Sequence, residues 1–174
     1  MMIRITDPKD LPYLALMEIY ASFISEKGKA EYPQYPENIQ ILNAEQDLYD
    51  YLRNVHLCQL KASVCFWRCG EELVSVLRLE AYNDGLLLSG LETAPGHRQK
   101  GYGKLLLQQA CRDADEGCLP IYSHVFSNNT VSMKLHLDCG FVVVEERAVL
   151  LDGSIHHDAV TLRYTPKEWT SCLA

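Results

Sequence analysis

No apolar run in this 174-residue chain approaches the roughly 18 residues that a membrane-crossing helix needs, and Met1 to Asp10 is polar. Neither a spanning segment nor a secretory leader is expected, and a cytoplasmic location follows. Positive charge is scarce. Lys and Arg number 16 against 23 Asp and Glu, a formal net charge of −7, which argues against general nucleic-acid binding and leaves room for a cationic partner. No C-x-x-C pair occurs among the seven cysteines (58, 65, 69, 111, 118, 139 and 172), and Cys65 and Cys69 stand too far apart in one strand to clip a metal. Most of them read as small buried apolar residues of a reducing compartment, and no metal site is expected. Two nucleotide signatures are missing as well. No Gly-Lys-Ser/Thr closes a Walker loop, and a dinucleotide fingerprint starting at Gly101 would need glycine at position 106, where the chain has Leu. No repeat or low-complexity segment is present.

What remains is a globular composition, 48% hydrophobic and 22% charged, of single-domain length. A chain of this size buries about 70% of its unfolded surface. Met2 to Thr6 reads as a first strand. Asp7-Pro8 offers an N-cap and a first-turn proline for a helix to about Glu26, with Leu16, Ile19, Tyr20, Phe23 and Ile24 as its buried stripe and Gly28 as its stop. Residues 28–42, with Pro33 and Pro36, read as a loop. Asn43 with Gln46 resembles a capping box for a second helix that turns Leu48, Leu52 and Val55 inward. Three strands follow at about 61–69, 73–82 and 86–93, joined by turns of the kind that make antiparallel hairpins. The third, Leu86-Leu87-Leu88-Ser89-Gly90-Leu91, is nearly apolar on both faces and so should be central. A helix from Lys104 to Gly117, a strand over 120–126, a short helix over 129–139 and a hairpin of 141–150 with 155–164 complete the pattern. Residues 1–164 are expected to form one domain and 165–174 a tail.

The stretch from Gly90 to Leu107 organises the rest. A strand end breaks at Pro95-Gly96, passes through a basic glycine-interrupted loop and becomes helical at about Lys104. A helix start presents unpaired N–H groups and the positive end of its dipole, and glycine lets an anion approach that backbone closely. The loop, Arg98-x-x-Gly101-x-Gly103, resembles the pyrophosphate loop of the GNAT superfamily, the acyl-CoA-dependent N-acyltransferases. A second block, Asn129-x-x-Ser132-x-x-Leu135-His136-x-x-x-Gly140-Phe141, is similar to that superfamily's downstream helix. The resemblance implies a mixed α/β (α+β) fold with a mostly antiparallel sheet of six to seven strands and about four helices.

It also implies an enzyme that moves an acetyl (acyl) group from acetyl-CoA, its cosubstrate, to an amine of a small molecule or peptide by direct attack. On that resemblance the backbone of Leu91 and Thr93 pairs with the pantetheine arm. The pyrophosphate sits on N–H groups from Gln99 through Lys100, Gly101, Tyr102 and Gly103 to Lys104, with Arg98 nearby, and Asn129 and Ser132 contact the arm or fix its loop. An alkyl ammonium acceptor must lose a proton, at a cost of about 4–5 kcal/mol at neutral pH. Glu92 is the expected base. His136 falls where the family usually has the tyrosine that serves the leaving thiol; Tyr122, Tyr82 and His124 are alternatives for that task. The acceptor is expected against Tyr32, Tyr35 and Glu31, a set suited to a cation. Neither nucleic acid nor membrane is an expected partner, and a homodimer is left open. The rival reading is a non-catalytic acyl-CoA-binding regulatory module.

Overall fold

The computed structural model describes residues 1–168, so of the expected tail 169–174 lie outside the described residues. The chain divides into two compact units, Met1–Arg78 with Gly90–Gly103, and Leu79–Ser89 with Lys104 onward. The strands of a seven-stranded sheet pair in the order β1 (Met2–Ile5), β2 (Ser63–Cys69), β3 (Glu72–Tyr82), β4 (Gly85–Thr93), β5 (Ile121–Phe126), β9 (Ala159–Tyr164) and β6 (Val142–Glu145), and β3 and β4 run through both units. The sheet is mostly antiparallel, as the sequence pattern indicated, and the architecture is mixed α/β.

The first unit opens with β1 (Met2–Ile5), antiparallel to β2 (Ser63–Cys69) in the register Met2↔Trp67 to Ile5↔Val64. The single helix expected over 7–26 is three pieces. Asp7 caps a 3-10 turn, Pro8–Asp10, by accepting from the N–H of Lys9; α1 (Tyr13–Ile19) starts after Pro12, and α2 (Ala21–Glu31) follows a break at Tyr20. Gly28 does not stop the helix. It lies inside α2 and buried, where a Cβ would come 2.7 Å from the backbone oxygen of Gln40, so its glycine serves the close approach of α2 to α3.

The expected loop over 28–42 therefore shrinks to 32–36. Its prolines confine the break, and the Gln40 side chain donates to the Tyr35 carbonyl at 2.8 Å. α3 (Glu37–Asp50) begins after Pro36 and places Asn43 and Gln46 within the helix, so they form no capping box; Gln46 instead bonds Asp50 at 2.9 Å. The chain continues as a π-helical segment, Tyr51–Gln59. Leu16, Ile19, Ile24, Ala44, Leu48, Leu52, Val64, Phe66 and Val76 form this unit's core.

In the second unit α4 (Tyr102–Gly117, whose first turn belongs to the first unit) buries Leu106, Leu107, Ala110, Cys111 and Ala114, the stripe its spacing demanded. β4 pairs parallel with β5 (Ile121–Phe126) over Leu86↔Ile121 to Leu88↔Ser123. After α5 (Thr130–Asp138) the expected final hairpin is divided. β6 (Val142–Glu145) and β9 (Ala159–Tyr164) pair in the main sheet with an irregularity between Val143 and Glu145. β7 (Ala148–Val149) and β8 (Ile155–His156) make a separate two-stranded sheet. The cysteines depart from expectation in part: Cys65 and Cys111 are buried, whereas Cys58 and Cys69 are exposed.

Candidate active site

The end of β4 is fixed from below. Gly90 has φ +59, and a Cβ there would lie 2.6 Å from Nε of Arg78 and 2.8 Å from the Tyr20 hydroxyl. Only glycine accepts both that dihedral and that crowding. The Tyr20 hydroxyl donates to the Gly90 carbonyl at 2.7 Å, and burial pushes its pKa up to about 12, so it stays a donor at any physiological pH. Two residues on, the Ser75 hydroxyl donates to the Glu92 carbonyl at 2.6 Å and meets Thr93 Oγ1 at 3.0 Å.

Beyond Thr93 a 3-10 turn, Pro95–His97, leads into the loop. Gln99 at φ +60 and Gly101 at φ +83 are left-handed, and Tyr102 opens α4. The first turn of α4 presents backbone donors that have no acceptor within the helix. Nothing lies within 4 Å of where Cβ atoms on Gly96 or Gly101 would be, whereas one on Gly103 would stand 3.3 Å from Thr93 Oγ1. Open space above a concave set of donors fits the oxygens of a diphosphate.

The expected cations are less free than the sequence suggested. Arg98 turns back on the strand, donating to the Thr93 carbonyl at 3.1 Å and to the Ser22 hydroxyl at 3.0 Å, with Glu92 at 3.7 Å. Lys100 donates to the Gly96 carbonyl at 2.9 Å, and Lys104 pairs with Asp138 at 3.4 Å. The Tyr102 hydroxyl meets Cys69 Sγ at 3.2 Å. Each of these side chains is thus held by a partner within the protein. Leu91 and Thr93 lie on β4, half-buried, and the Thr93 carbonyl already accepts from Arg98.

Glu92 is half-buried, and burial holds its carboxyl above the usual carboxylate range; Arg98 opposes that rise and nearby Glu26 adds to it. A carboxylate so placed is a better proton acceptor than one in water.

His136, in the second unit, is buried. Its Nδ1 donates to the Ser132 carbonyl at 2.8 Å, its ring packs edge-on to Phe141 at 5.0 Å, and Nε2 has no partner. Burial lowers its pKa, so the ring is neutral at pH 7 with its proton committed to its own helix. Asn129 caps α5 by accepting from the Ser132 N–H at 3.0 Å. Of the alternatives, Tyr122 donates to Asp84 at 2.5 Å and its pKa is pushed up to about 12, first by burial and then by that bond, while Tyr82 donates to the Val149 carbonyl at 2.8 Å. His124 is half-buried and its pKa is lowered by burial.

A cavity of about 570 Å³ opens in the first unit, lined by Phe23, Glu26, Lys27 and Glu31 of α2, Asp47 and Leu48 of α3, Tyr51 and Arg78 among others. Of the expected acceptor residues only Glu31 lines it. Tyr32 bonds Asp47 with its hydroxyl, and Tyr35 is exposed beside the helix start. Glu26, Tyr51, Arg78 and Tyr20 were missed by sequence reasoning, because each sits in an element with no motif around it. The apolar face of the first helix did signal Tyr20 as buried.

Among the described residues no three of His, Cys, Asp and Glu group as metal ligands, and no helix is long and apolar enough to cross a membrane. No curated protein matches the chain in sequence. The solved structures similar to it include the IAA acetyltransferase from Bacillus cereus ATCC 14579, 16% identical, with a TM-score of 0.59, covering 95% of this chain and 98% of that one. The ribosomal-protein-alanine N-acetyltransferase from Brucella melitensis is 18% identical with a TM-score of 0.59, over 95% and 99%. The PaiA N-acetyltransferase from Thermoplasma acidophilum, in complex with coenzyme A, is 17% identical with a TM-score of 0.57, over 95% and 99%. These likenesses are of fold. The acetyltransferase (GNAT) family model matches residues 17–141, from α1 through the cradle to Phe141, and the chain therefore belongs to that family.

Proposed function

We propose that this acetyltransferase moves an acetyl group from acetyl-CoA to a primary amine. The observation that carries the reading is the loop with left-handed Gln99 and Gly101 leading into α4, after a strand end that holds Glu92 with its carboxyl above the usual range. Bound acetyl-CoA supplies a thioester carbonyl open to attack. The backbone from Gln99 to Gly103 binds its diphosphate, and the edge of β4 at Leu91 and Thr93 orients the arm. Arg98 fixes the strand end through the Thr93 carbonyl rather than meeting phosphate directly.

Glu92 takes the proton of the incoming ammonium, directly or through water. Making the free amine costs about 4–5 kcal/mol at neutral pH, and a carboxyl with a raised pKa recovers part of that. The leaving thiolate costs only about 2 kcal/mol at pH 7, so it needs less help. His136 has its Nδ1 proton on the Ser132 carbonyl and its Nε2 shut off from solvent, so it could donate from Nε2 only when protonated, which its burial makes scarce.

That same burial favours the rival reading, an acyl-CoA-binding module without chemistry. Thiol release from acetyl-CoA across a panel of amines separates the two. Amine-dependent release that falls sharply in Glu92→Gln supports the enzyme; coenzyme binding with no release from any amine supports the module.

A further inference from the structure

Resting on that acetyl-transfer reading, we infer that the acceptor is an amino acid with an apolar side chain, whose carboxylate is taken by Arg78 in the cavity of the first unit. Arg78 is the unexplained group there. It is half-buried, its Nε is shut off from solvent with no hydrogen-bond partner, and among the described residues it makes no ion pair. Its guanidinium lies 5.6 Å from the centre of the Tyr51 ring. A ring face offsets only part of what a cation loses on leaving water. Lys27, the cavity's other cation, is already matched: it pairs with Glu31 and, at 3.6 Å, with Asp47. A planar fork without an anion, lining a cavity, is a receptor for a carboxylate.

The same cavity carries the complement for an amine. Glu26 lines it and lies close enough to Glu92 to raise that residue's pKa. An ammonium near both carboxylates relieves their repulsion. Gly90, against which Arg78 packs, precedes Glu92 by two residues on β4, about 7 Å along the strand. One ligand with a charge at each end bridges that gap. Phe23, Leu48 and Tyr51 supply apolar wall for its side chain.

The test compares L-phenylalanine with phenethylamine, which lacks only the carboxylate. Binding is measured by calorimetry and thermal shift without acetyl-CoA, on the wild type, Arg78→Gln and Arg78→Lys. The wild type should bind the amino acid on the order of 10- to 100-fold more tightly, the worth of one charged hydrogen-bonded pair. Arg78→Gln should bring the two ligands to parity, and Arg78→Lys should restore part of the preference. Equal affinity in the wild type, no binding of either ligand, or a preference unchanged in a folded Arg78→Gln protein overturns the proposal. Thiol release with acetyl-CoA, run alongside, reports separately on the transfer reaction: no release with any amine removes the transfer reading, while the binding comparison still decides whether Arg78 takes a carboxylate.

Discussion

Thr93 Oγ1 stands 3.3 Å from the point a Cβ on Gly103 would occupy, with the Ser75 hydroxyl 3.0 Å behind it. The strand end and the first turn of α4 meet there with no spare volume. Gly103→Ala should displace Thr93 and lower stability by about 1 kcal/mol. Gly101→Ala fails for a different reason: space is open, but φ +83 costs an L-residue about 1–2 kcal/mol. Gly96→Ala meets neither obstacle and should change stability by less than about 0.5 kcal/mol. Denaturant melts should rank the three in that sense, and calorimetry with CoA should show Gly101→Ala the weakest binder. A Gly96→Ala protein as impaired as Gly101→Ala would show that the loop is not the cradle described.

Glu92 gives a pH prediction with a definite sign. Its folded carboxyl titrates above its unfolded value, so ionisation is disfavoured by folding. This destabilisation is absent at pH below the ordinary carboxylate value and develops as pH rises through the folded one. Glu92→Gln should therefore melt slightly higher than the wild type at pH 7 and no higher at pH 4. Its kcat/KM should fall, and the acidic limb of the wild-type pH–rate profile, which reports the base losing its proton, should flatten. A limb unchanged in the variant would assign the titration to another group.

Regular periodicity made the second unit's helices and the three central strands legible. The apolar stripe from Leu106 to Ala114 is buried as its spacing required, and Gly101 takes a left-handed φ of +83 of the kind a glycine in that loop permits. What stayed hidden depended on contacts distant in sequence. Gly28 reads as a helix stop until Gln40 is seen against it, and Arg98 reads as a phosphate ligand until Ser22 and the Thr93 carbonyl are seen to hold it. Arg78 carries no local signal, because what marks it is a buried Nε without a hydrogen-bond partner and, among the described residues, no ion pair.

His136 couples stability to pH in the opposite direction. Burial holds its folded pKa below the unfolded value near 6.5, so its contribution is present above that value and lost as pH falls below it, when the unfolded chain takes up a proton first. The stability difference between the wild type and His136→Gln should shrink between pH 7.5 and pH 5.5; a constant difference would mean the ring is not held neutral. His136→Phe keeps a ring against Phe141 but removes Nε2. It should retain CoA affinity and, because the wild-type ring is neutral with its one proton held by Ser132, lose turnover by less than about tenfold; a larger loss would show that the ring does serve the leaving thiol.

Gly28→Ala sets two effects against each other. Alanine in a helix gains about 1 kcal/mol over glycine, but here its Cβ would come 2.7 Å from the Gln40 oxygen and 2.9 Å from its carbon, both backbone atoms that cannot rotate away. Relief requires α2 to move off α3, at about 1–3 kcal/mol, so the net change should be a loss. Gly117→Ala, at the end of α4 with nothing within 4 Å, gains the propensity term alone and should raise stability by up to about 1 kcal/mol. Because α2 and α3 both line the cavity proposed for the acceptor, Gly28→Ala should also raise the acceptor KM while leaving the CoA KM in place. Equal effects on both constants would place the acceptor away from this helix pair.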